Sequence, residues 1–261
     1  MHQQGALRSL PTDNQKSMYT MKNWITIALI CMTMHTTAQN NNIAHFSVWK
    51  PKHGQEHNFE QGYKQHLQWH AANKDRWNWY GWYVISGPRV DYFIDATFQH
   101  AWSDFDRPVN PAGDAADNAL HTEPFGDFKG SFKVKYLPAL SIADTQSLQS
   151  NFLRYITLTT TDMTQAKSCL AKLKNLYQTK GLKHFLLYEM VDGGQLNQLL
   201  LLIGCHNFEA FGQTDNIREE LSNIENQLQR KVFTEIQAEN LRYKADMSLF
   251  PSALPGPAQR P

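Results

Sequence analysis

The stretch ISGPRVDYFIDATFQHAWSDF, residues 85–105, aligns with the stretch MVDGGQLNQLLLLIGCHNFEAF, residues 190–211. A repeat of about a hundred residues indicates a duplicated domain, because the units of solenoid proteins are only roughly 20–50 residues long. We therefore expect two similar units in tandem. A single offset of 106 residues gives the matched pairs Gly87 and Gly193, His100 and His206, Trp102 and Phe208, and Phe105 and Phe211.

The N-terminal segment is typical of an export signal rather than of a folded domain. Lys22 precedes a short apolar run, residues 24–32, and small residues follow up to Ala38. This order is that of a secretory signal peptide, and the run is too short to span a bilayer. We expect residues 1–38 to be an upstream extension and a cleaved signal peptide. The mature protein is then periplasmic or extracellular and has no transmembrane segment.

The charge balance excludes a surface that binds polyanions. The chain of 261 residues has 25 Lys and Arg and 24 Asp and Glu, and the chain from Gln39 onward has 22 and 23. A nearly neutral protein has no basic field to hold nucleic acid. The cysteines that remain, Cys169 and Cys205, are expected to be buried thiols. An exported protein leaves a disulfide between them as the alternative.

The hydrophobic pattern of the first unit predicts a strand, a helix, a hairpin and a closing strand. Aromatic and aliphatic residues recur at helical spacing from Phe59 to Ala71, and the turn signal Gly87-Pro88 separates two β-prone runs. Pro, Gly and Asp after the hairpin indicate a loop. The expected bounds are strand 43–49, helix 57–74, strands 77–86 and 90–98, a helical turn 101–106, a loop 107–129 and strand 132–136.

The second unit shows the same order. Asp162 and Gln165 form a capping-box pattern before a helix, and Asp192-Gly193-Gly194 is a hairpin turn. The expected bounds are strand 153–159, a helix ending near Gly181, strands 184–191 and 196–203, helix 216–236 and strand 241–247.

The order β-α-β-β-α-β is that of a ferredoxin-like unit. The strand around Trp79 is apolar on both faces, and helices can cover only one face, so the other repeat must cover the second. The sequence thus predicts an α+β fold of two tandem ferredoxin-like β-α-β-β-α-β repeats. We expect them at residues 42–141 and 152–249, packed sheet to sheet as a single-chain α/β barrel, with a disordered tail over residues 250–261.

This organisation resembles the dimeric α/β-barrel superfamily, and within it exported bacterial members without an assigned activity. The resemblance covers residues 42–249. It implies a cavity inside the barrel or between sheet and helices, because the superfamily includes cofactor-free monooxygenases, haem-using peroxidases and chlorite dismutases. A shared fold does not carry an activity with it. The segments that support the resemblance are the Trp-rich hairpin with Ser86-Gly87-Pro88, Trp102-Ser-Asp-Phe105, and the endings Tyr136-Leu-Pro-Ala-Leu-Ser141 and Tyr243-Lys-Ala-Asp-Met-Ser248.

Two histidines lie four residues apart on the first helix, which places them on one side of it. His70 falls on the apolar face and His66 at its edge. Such a pair is able to bind a metal or to relay a proton, but Leu67 stands where the zincin motif needs Glu. The alternative is a packed His70 with one hydrogen-bond partner. From the sequence we expect no metal site.

Along the expected strand 90–98, side chains alternate between the two faces, which places Asp91, Phe93 and Asp95 on one face. Carboxylates in a cavity have raised pKa values and serve as acids or bases. We expect this face to point into the barrel, where water or a ligand would solvate the charges. The alternative is a solvent-facing edge strand.

The aromatic residues Trp79, Tyr80, Trp82 and Tyr83 are expected to line a ligand pocket on one face and to form core on the other. The main prediction is therefore an exported protein that binds a small apolar or aromatic ligand in a cavity of the first repeat, without a cofactor. One alternative is a monooxygenase-like or haem-dependent oxidoreductase that uses the same cavity, with His206 and His184 as haem-ligand candidates. The second alternative is a structural or interaction protein without a pocket.

Overall fold

The computed structural model describes residues 41–143 and 147–251 of the chain. The predicted signal peptide, 1–38, and all of the predicted tail except its first two residues lie outside this range. Within it, no helix is long and apolar enough to cross a membrane.

Eight strands of the described residues form one closed barrel in which all neighbouring strands are antiparallel. Their order around the barrel is β1-β3-β2-β8-β5-β7-β6-β4. The strands are β1 Ile43–Pro51, β2 Trp79–Ser86, β3 Phe93–His100, β4 Gly126–Tyr136, β5 Phe152–Thr160, β6 Phe185–Asp192, β7 Gln198–Cys205 and β8 Phe233–Tyr243.

Each half of the chain supplies four neighbouring strands in the ferredoxin-like order, β4-β1-β3-β2 and β8-β5-β7-β6. The halves join at two seams, where β2 pairs with β8 and β4 pairs with β6. Trp82 lies opposite Tyr243 in the first seam, and Lys135 lies opposite Glu189 in the second. The predicted α+β barrel of two ferredoxin-like units is confirmed.

Helices cover the outside of the barrel, two to each half, and a further one-turn helix precedes the last of them. In the first half α1 packs on α2, and in the second half α3 packs on α5. Asp162 caps α3, accepting a hydrogen bond of 3.0 Å from the Gln165 backbone, as the capping pattern predicts. The helices are α1 Glu56–Ala72, α2 Pro111–His121, α3 Met163–Thr179, α4 Phe208–Gly212 and α5 Ile217–Gln227.

Three predicted elements differ from the structure. The expected loop over residues 107–129 contains α2, and the expected helix over residues 216–236 stops at Gln227. Gln229 takes a left-handed φ of 51°, and the buried Glu225 carboxylate accepts hydrogen bonds from the backbone amides of Val232 and Phe233. These contacts reverse the chain, so that β8 begins at Phe233 rather than at residue 241.

The core has three parts. The barrel interior is filled by both halves, with residues such as Phe46 and Trp82 packed on Leu202 and Leu241. In the second half, an aliphatic cluster around Leu170 and Leu201 fills the space between sheet and helices. The corresponding space in the first half holds a smaller, mostly aromatic cluster, with Phe59, Tyr63 and Phe93 at its centre. The first half therefore leaves room beside this cluster, and the polar residues lie there.

Candidate functional site

Strand β3 carries its carboxylate on the side that faces α1. Phe93 meets the Tyr63 ring at 4.6 Å, and Asp95 lies on the same face beside Trp49, whereas Ile94 belongs to the barrel interior. The prediction that Asp95 points into the barrel is wrong, since the register of β3 puts the odd-numbered residues outside. Asp91 is not on this face at all: it is exposed in the turn before β3, with a φ of 70°.

His66 and His70 lie one turn apart on the inner face of α1, and they are 5% and 4% exposed. Their Nε2 atoms are 3.1 Å apart. Asp114 of α2 places Oδ1 3.3 Å from the Nε2 of His66 and 3.6 Å from that of His70. Two imidazoles and one carboxylate thus converge on a single point between α1 and α2.

A further carboxylate lies beside the Nδ1 atom of each histidine ring. Asp117 Oδ2 lies 2.8 Å from His66 Nδ1, and Asp75 Oδ2 lies 2.8 Å from His70 Nδ1. Burial acts to raise the pKa of the Asp75 carboxyl group, but its contact with His70 is among those that hold this pKa below its usual value. Trp77 N and Trp79 Nε1 donate to Asp75 at 2.9 and 3.0 Å and fix its position.

Two adjacent cavities of about 310 and 230 Å³ flank these histidines. Both are lined by His45, Trp79 and Asp114; the larger also reaches His66, and the smaller reaches His70. We call the two cavities together the cleft. It lies between α1, α2 and the outer face of the first half's sheet. Further lining comes from Trp49, Tyr63, Asp95 and Asn118 in the larger cavity and from Asp75, Trp77 and Phe105 in the smaller.

Burial shifts the ionisation of the groups that line the cleft. It raises the pKa of Asp95 to about 7, although the hydrogen bond from Trp49 and the nearby Ser47 and Tyr63 side chains act in the opposite direction. Burial also lowers the pKa of His45 to about 4, and the nearby Lys133 lowers it further. Near neutral pH the cleft therefore has an uncharged imidazole and a carboxyl group close to its titration point, an environment suited to a ligand that exchanges hydrogen bonds.

The aromatic residues of β2 divide between the two faces of the sheet. Trp79 lines both cavities of the cleft, and Tyr83 packs with it on the helix side. Trp82 is fully buried in the barrel interior. Tyr80 lines a separate cavity of about 160 Å³ at one end of the barrel, together with Phe98, Tyr136 and Tyr188.

The other end of the barrel has a cavity of about 330 Å³ beside a buried ion pair. Arg89 contacts both carboxylate oxygens of Glu239, and its guanidinium lies over the Tyr155 ring. This pair connects the β2–β3 turn of the first half with β8 of the second. Arg89 and Glu239 are paired with each other. This cavity therefore has fewer ionisable side chains that are available to a ligand than the cleft has.

The haem-ligand candidates His206 and His184 lie apart from the cavities described above. His206 is exposed, and the Nδ1 of the half-buried His184 lies 2.8 Å from Ser147 Oγ. Neither residue lines the cleft or the two barrel-end cavities. The aliphatic cluster of the second half fills the sheet face beneath α3 and α5. His100, the repeat partner of the exposed His206, is buried and packs on Trp77 with ring centroids 4.1 Å apart.

Several residues of the cleft are not expected from the sequence. Asp114, Asp117 and Asn118 lie on α2, which the hydrophobic pattern predicts to be a loop, and Asp75 follows α1. Two signals for α2 are present in the sequence. Asn110 caps the helix through the Gly113 amide and Pro111 takes the first helical position. In addition, the 106-residue offset carries Pro111–His121 onto Ile217–Gln227, the bounds of α5.

No protein-family model matches the chain, and no curated protein matches it. Solved structures do share its fold. A candidate monooxygenase from Lactobacillus acidophilus NCFM has a TM-score of 0.52 at 11% identity, over 80% of this chain and 96% of that one. A variant of the chlorite dismutase from Candidatus Nitrospira defluvii has a TM-score of 0.50 at 7% identity, over 78% and 92%. A candidate chlorite dismutase has 0.51 at 12%, over 78% and 95%. At these identities the similarity shows a shared α+β barrel fold and nothing further.

Proposed function

We propose that the protein is exported and binds a small aromatic or apolar molecule in the cleft of its first half. The observation that carries the proposal is the cleft itself, in which indole walls surround a convergent set of buried ionisable groups. Pockets for small molecules are mostly apolar and have a few polar groups that fix the ligand's orientation. Among the cavities of the described residues, the cleft has this combination most fully.

The size and lining of the cleft define the ligand class. Its larger cavity, about 310 Å³, is at the lower end of ligand pockets, which have roughly 300–1,000 Å³. Trp49 and Trp79 offer ring faces for an aromatic ligand. Asp95, whose pKa is raised to about 7, offers a hydrogen-bonding group to a hydroxyl or carbonyl oxygen. An aromatic molecule of one or two rings with one oxygen substituent fits these features.

Calorimetric titration with 2-naphthol, a probe of this class, tests the proposal. Trp79→Leu removes a wall of both cavities of the cleft, and we expect it to weaken binding about tenfold or more. Tyr80→Leu is the matched control, because the neighbouring residue lines the barrel-end cavity instead. If Tyr80→Leu weakens binding and Trp79→Leu does not, the ligand site is in the barrel. If 2-naphthol and a panel of substituted phenols all fail to bind, the structural or interaction role replaces this proposal.

The enzymatic alternative, a monooxygenase-like or haem-dependent oxidoreductase, is supported by the shared fold alone. An absorbance spectrum of the purified protein after haem addition tests the haem-dependent form. A Soret band that shifts on binding would favour it, and we expect none, since His206 and His184 line none of the cavities described above.

Export is proposed from the sequence of residues 22–38. N-terminal sequencing of the protein recovered from the periplasm or the medium is expected to begin at Gln39. An intact cytoplasmic chain that starts at Met1 would contradict it.

A further inference from the structure

We propose that His66, His70 and Asp114 bind a divalent first-row transition-metal ion, and that zinc is the ion whose geometry matches best. The inference deepens the proposed ligand site, because the ion would lie between the two cavities of the cleft. It rests on a different set of side chains from the aromatic walls, and it is therefore tested separately.

The spacing of the three ligand atoms suits a metal ion. They are 3.1, 3.3 and 3.6 Å apart. Ligand atoms bound tetrahedrally to zinc at about 2.0–2.1 Å are about 3.3–3.4 Å from each other, a value that the three distances straddle. Two histidines and one carboxylate are also the ligand set of non-haem iron sites, in which the ligands occupy one face of an octahedron.

The orientation of the two rings supports the same conclusion. Carboxylates lie beside both Nδ1 atoms, Asp117 at His66 and Asp75 at His70. A carboxylate at this position favours a proton on Nδ1, which leaves the Nε2 lone pair for a metal. With both rings in that form, the two Nε2 lone pairs face each other at 3.1 Å. A cation between them converts this repulsive contact into coordination.

Asn118 supplies an independent indication. Its Nδ2 lies 3.1 Å from His66 Nε2 and 3.4 Å from Asp114 Oδ1, and its Oδ1 is buried without a hydrogen-bond partner among the described residues. A buried amide oxygen without a partner is costly. Rotating the amide by half a turn would point this oxygen toward the same centre as the three ligands. We therefore expect Asn118 beside the ion, where its oxygen would accept a hydrogen bond from a water molecule at the open position, and not among the three protein ligands.

The three ligand residues border the cavities of the cleft, so that a small molecule there would reach the ion. Asp114 lines both cavities, while His66 borders the larger and His70 the smaller. Zinc sites that carry out chemistry keep three protein ligands and leave a position for water or substrate, whereas structural sites are closed by four. An oxygen substituent of a ligand in the cleft would thus have direct access to the ion.

Metal analysis and calorimetry of the full mature chain test the proposal. Protein treated with EDTA and dialysed is titrated with zinc sulfate. We expect one ion per chain with micromolar or tighter affinity, and a loss of at least about 100-fold for His66→Ala, His70→Ala and Asp114→Asn. Asp117→Asn, which removes only the carboxylate behind His66, is expected to lose about 10–100-fold. His53→Ala, at an exposed site before α1, is the matched control and is expected to bind as the unaltered chain does.

A second measurement keeps the test valid where a variant fails to fold. The d–d absorption of the unaltered protein loaded with Co²⁺ reports coordination geometry, and we expect the intense bands of a tetrahedral site. Absence of stoichiometric Zn²⁺ binding, or undiminished binding by a folded His66→Ala, His70→Ala double variant, would overturn the proposal. Repeating the 2-naphthol titration on EDTA-treated protein separates the two inferences, since binding there with no metal affinity leaves the ligand site standing and removes the metal site.

Discussion

Oδ2 of Asp95 accepts a hydrogen bond of 3.2 Å from Nε1 of Trp49, beneath α1 in the wall of the cleft. Asp95 is only 3% exposed, so this bond replaces only part of the water that an ionised carboxylate would otherwise have. Neutral donors do not offset that loss, and burial raises the pKa of Asp95 to about 7. The group therefore connects the ionisation of the cleft with the stability of the fold.

Asp95 makes the free energy of unfolding depend on pH. The pKa of an aspartate in an unfolded chain is 3.8 and that of Asp95 in the fold is about 7, so between these values the folded state holds a proton that the unfolded state has released. The contribution of Asp95 to the free energy of unfolding is expected to fall as the pH rises from about 4 to about 7, and then to level off. Asp95→Asn removes this contribution. Because the pKa difference between the folded and unfolded states corresponds to roughly 4 kcal/mol, we expect the variant to be more stable by up to about 4 kcal/mol at pH 8 and by little at pH 4.

Urea unfolding at pH 4, 6 and 8 measures this effect, with the exposed Asp127→Asn as the control. If Asp95→Asn changed the free energy of unfolding by the same amount at all three pH values, the pKa of the Asp95 carboxyl group would not be raised.

The pair of Arg89 and Glu239 is expected to stabilise the contact between the two halves. Glu239→Gln leaves the Arg89 guanidinium without its counter-charge in a largely buried place, and we expect a loss of about 3 kcal/mol in the free energy of unfolding. Asp127→Asn again serves as a comparison, because its partner Lys129 is exposed and such pairs contribute about 0–1 kcal/mol. Thermal unfolding of both variants checks the difference; equal shifts in Tm would mean that the buried pair contributes no more than the exposed one.

Gly62 sets the distance between α1 and α2. A Cβ atom there would collide with the backbone carbonyl of His121 at the end of α2. We expect Gly62→Ala to destabilise the protein by about 1–3 kcal/mol and to weaken zinc binding, because α2 must shift and it carries Asp114. Gly212→Ala, where a Cβ meets nothing within 4 Å, is the control for stability. Calorimetry with Zn²⁺ on both variants is the measurement, and unchanged affinity in Gly62→Ala would show that α2 adjusts without moving Asp114.

Cys169 and Cys205 are free, buried thiols. Burial raises the pKa of both and takes that of Cys205 to about 11, so neither supplies a reactive thiolate at neutral pH. In the folded protein that begins at Gln39, we expect a thiol reagent such as DTNB to modify neither cysteine. In guanidinium chloride we expect it to modify both, two thiols per chain. Two unreactive sulfurs in denaturant without reductant would instead reveal a disulfide.

The sequence was sufficient for the barrel but not for the site. Alternation put Phe93 and Asp95 on one face of β3, yet alternation does not say which face lies inside, and the aromatic partners on α1 decided it. Helix α2 escaped the hydrophobic-period criterion for a physical reason. None of its residues is buried, and it presents Asp114, Asp117 and Asn118 to the histidines of α1 instead of an apolar stripe. A helix that packs through polar contacts is detectable only from its Asn110-Pro111 start and from the repeat.

Because the two seams join halves of the same chain, the sequences of the two halves are free to differ from each other. Had the halves been separate identical chains, β2–β8 and β4–β6 pairing would depend on protein concentration, and any buried cluster would occur twice. Within one chain the pairing is intramolecular, at an effective concentration of roughly millimolar for short connections, so dilution does not open it. A substitution then changes only one half of the barrel, whereas in a dimer of identical chains it would change both. One half is free to hold a costly group of buried imidazoles and a carboxylate, while the aliphatic cluster of the other half supplies stability that both share.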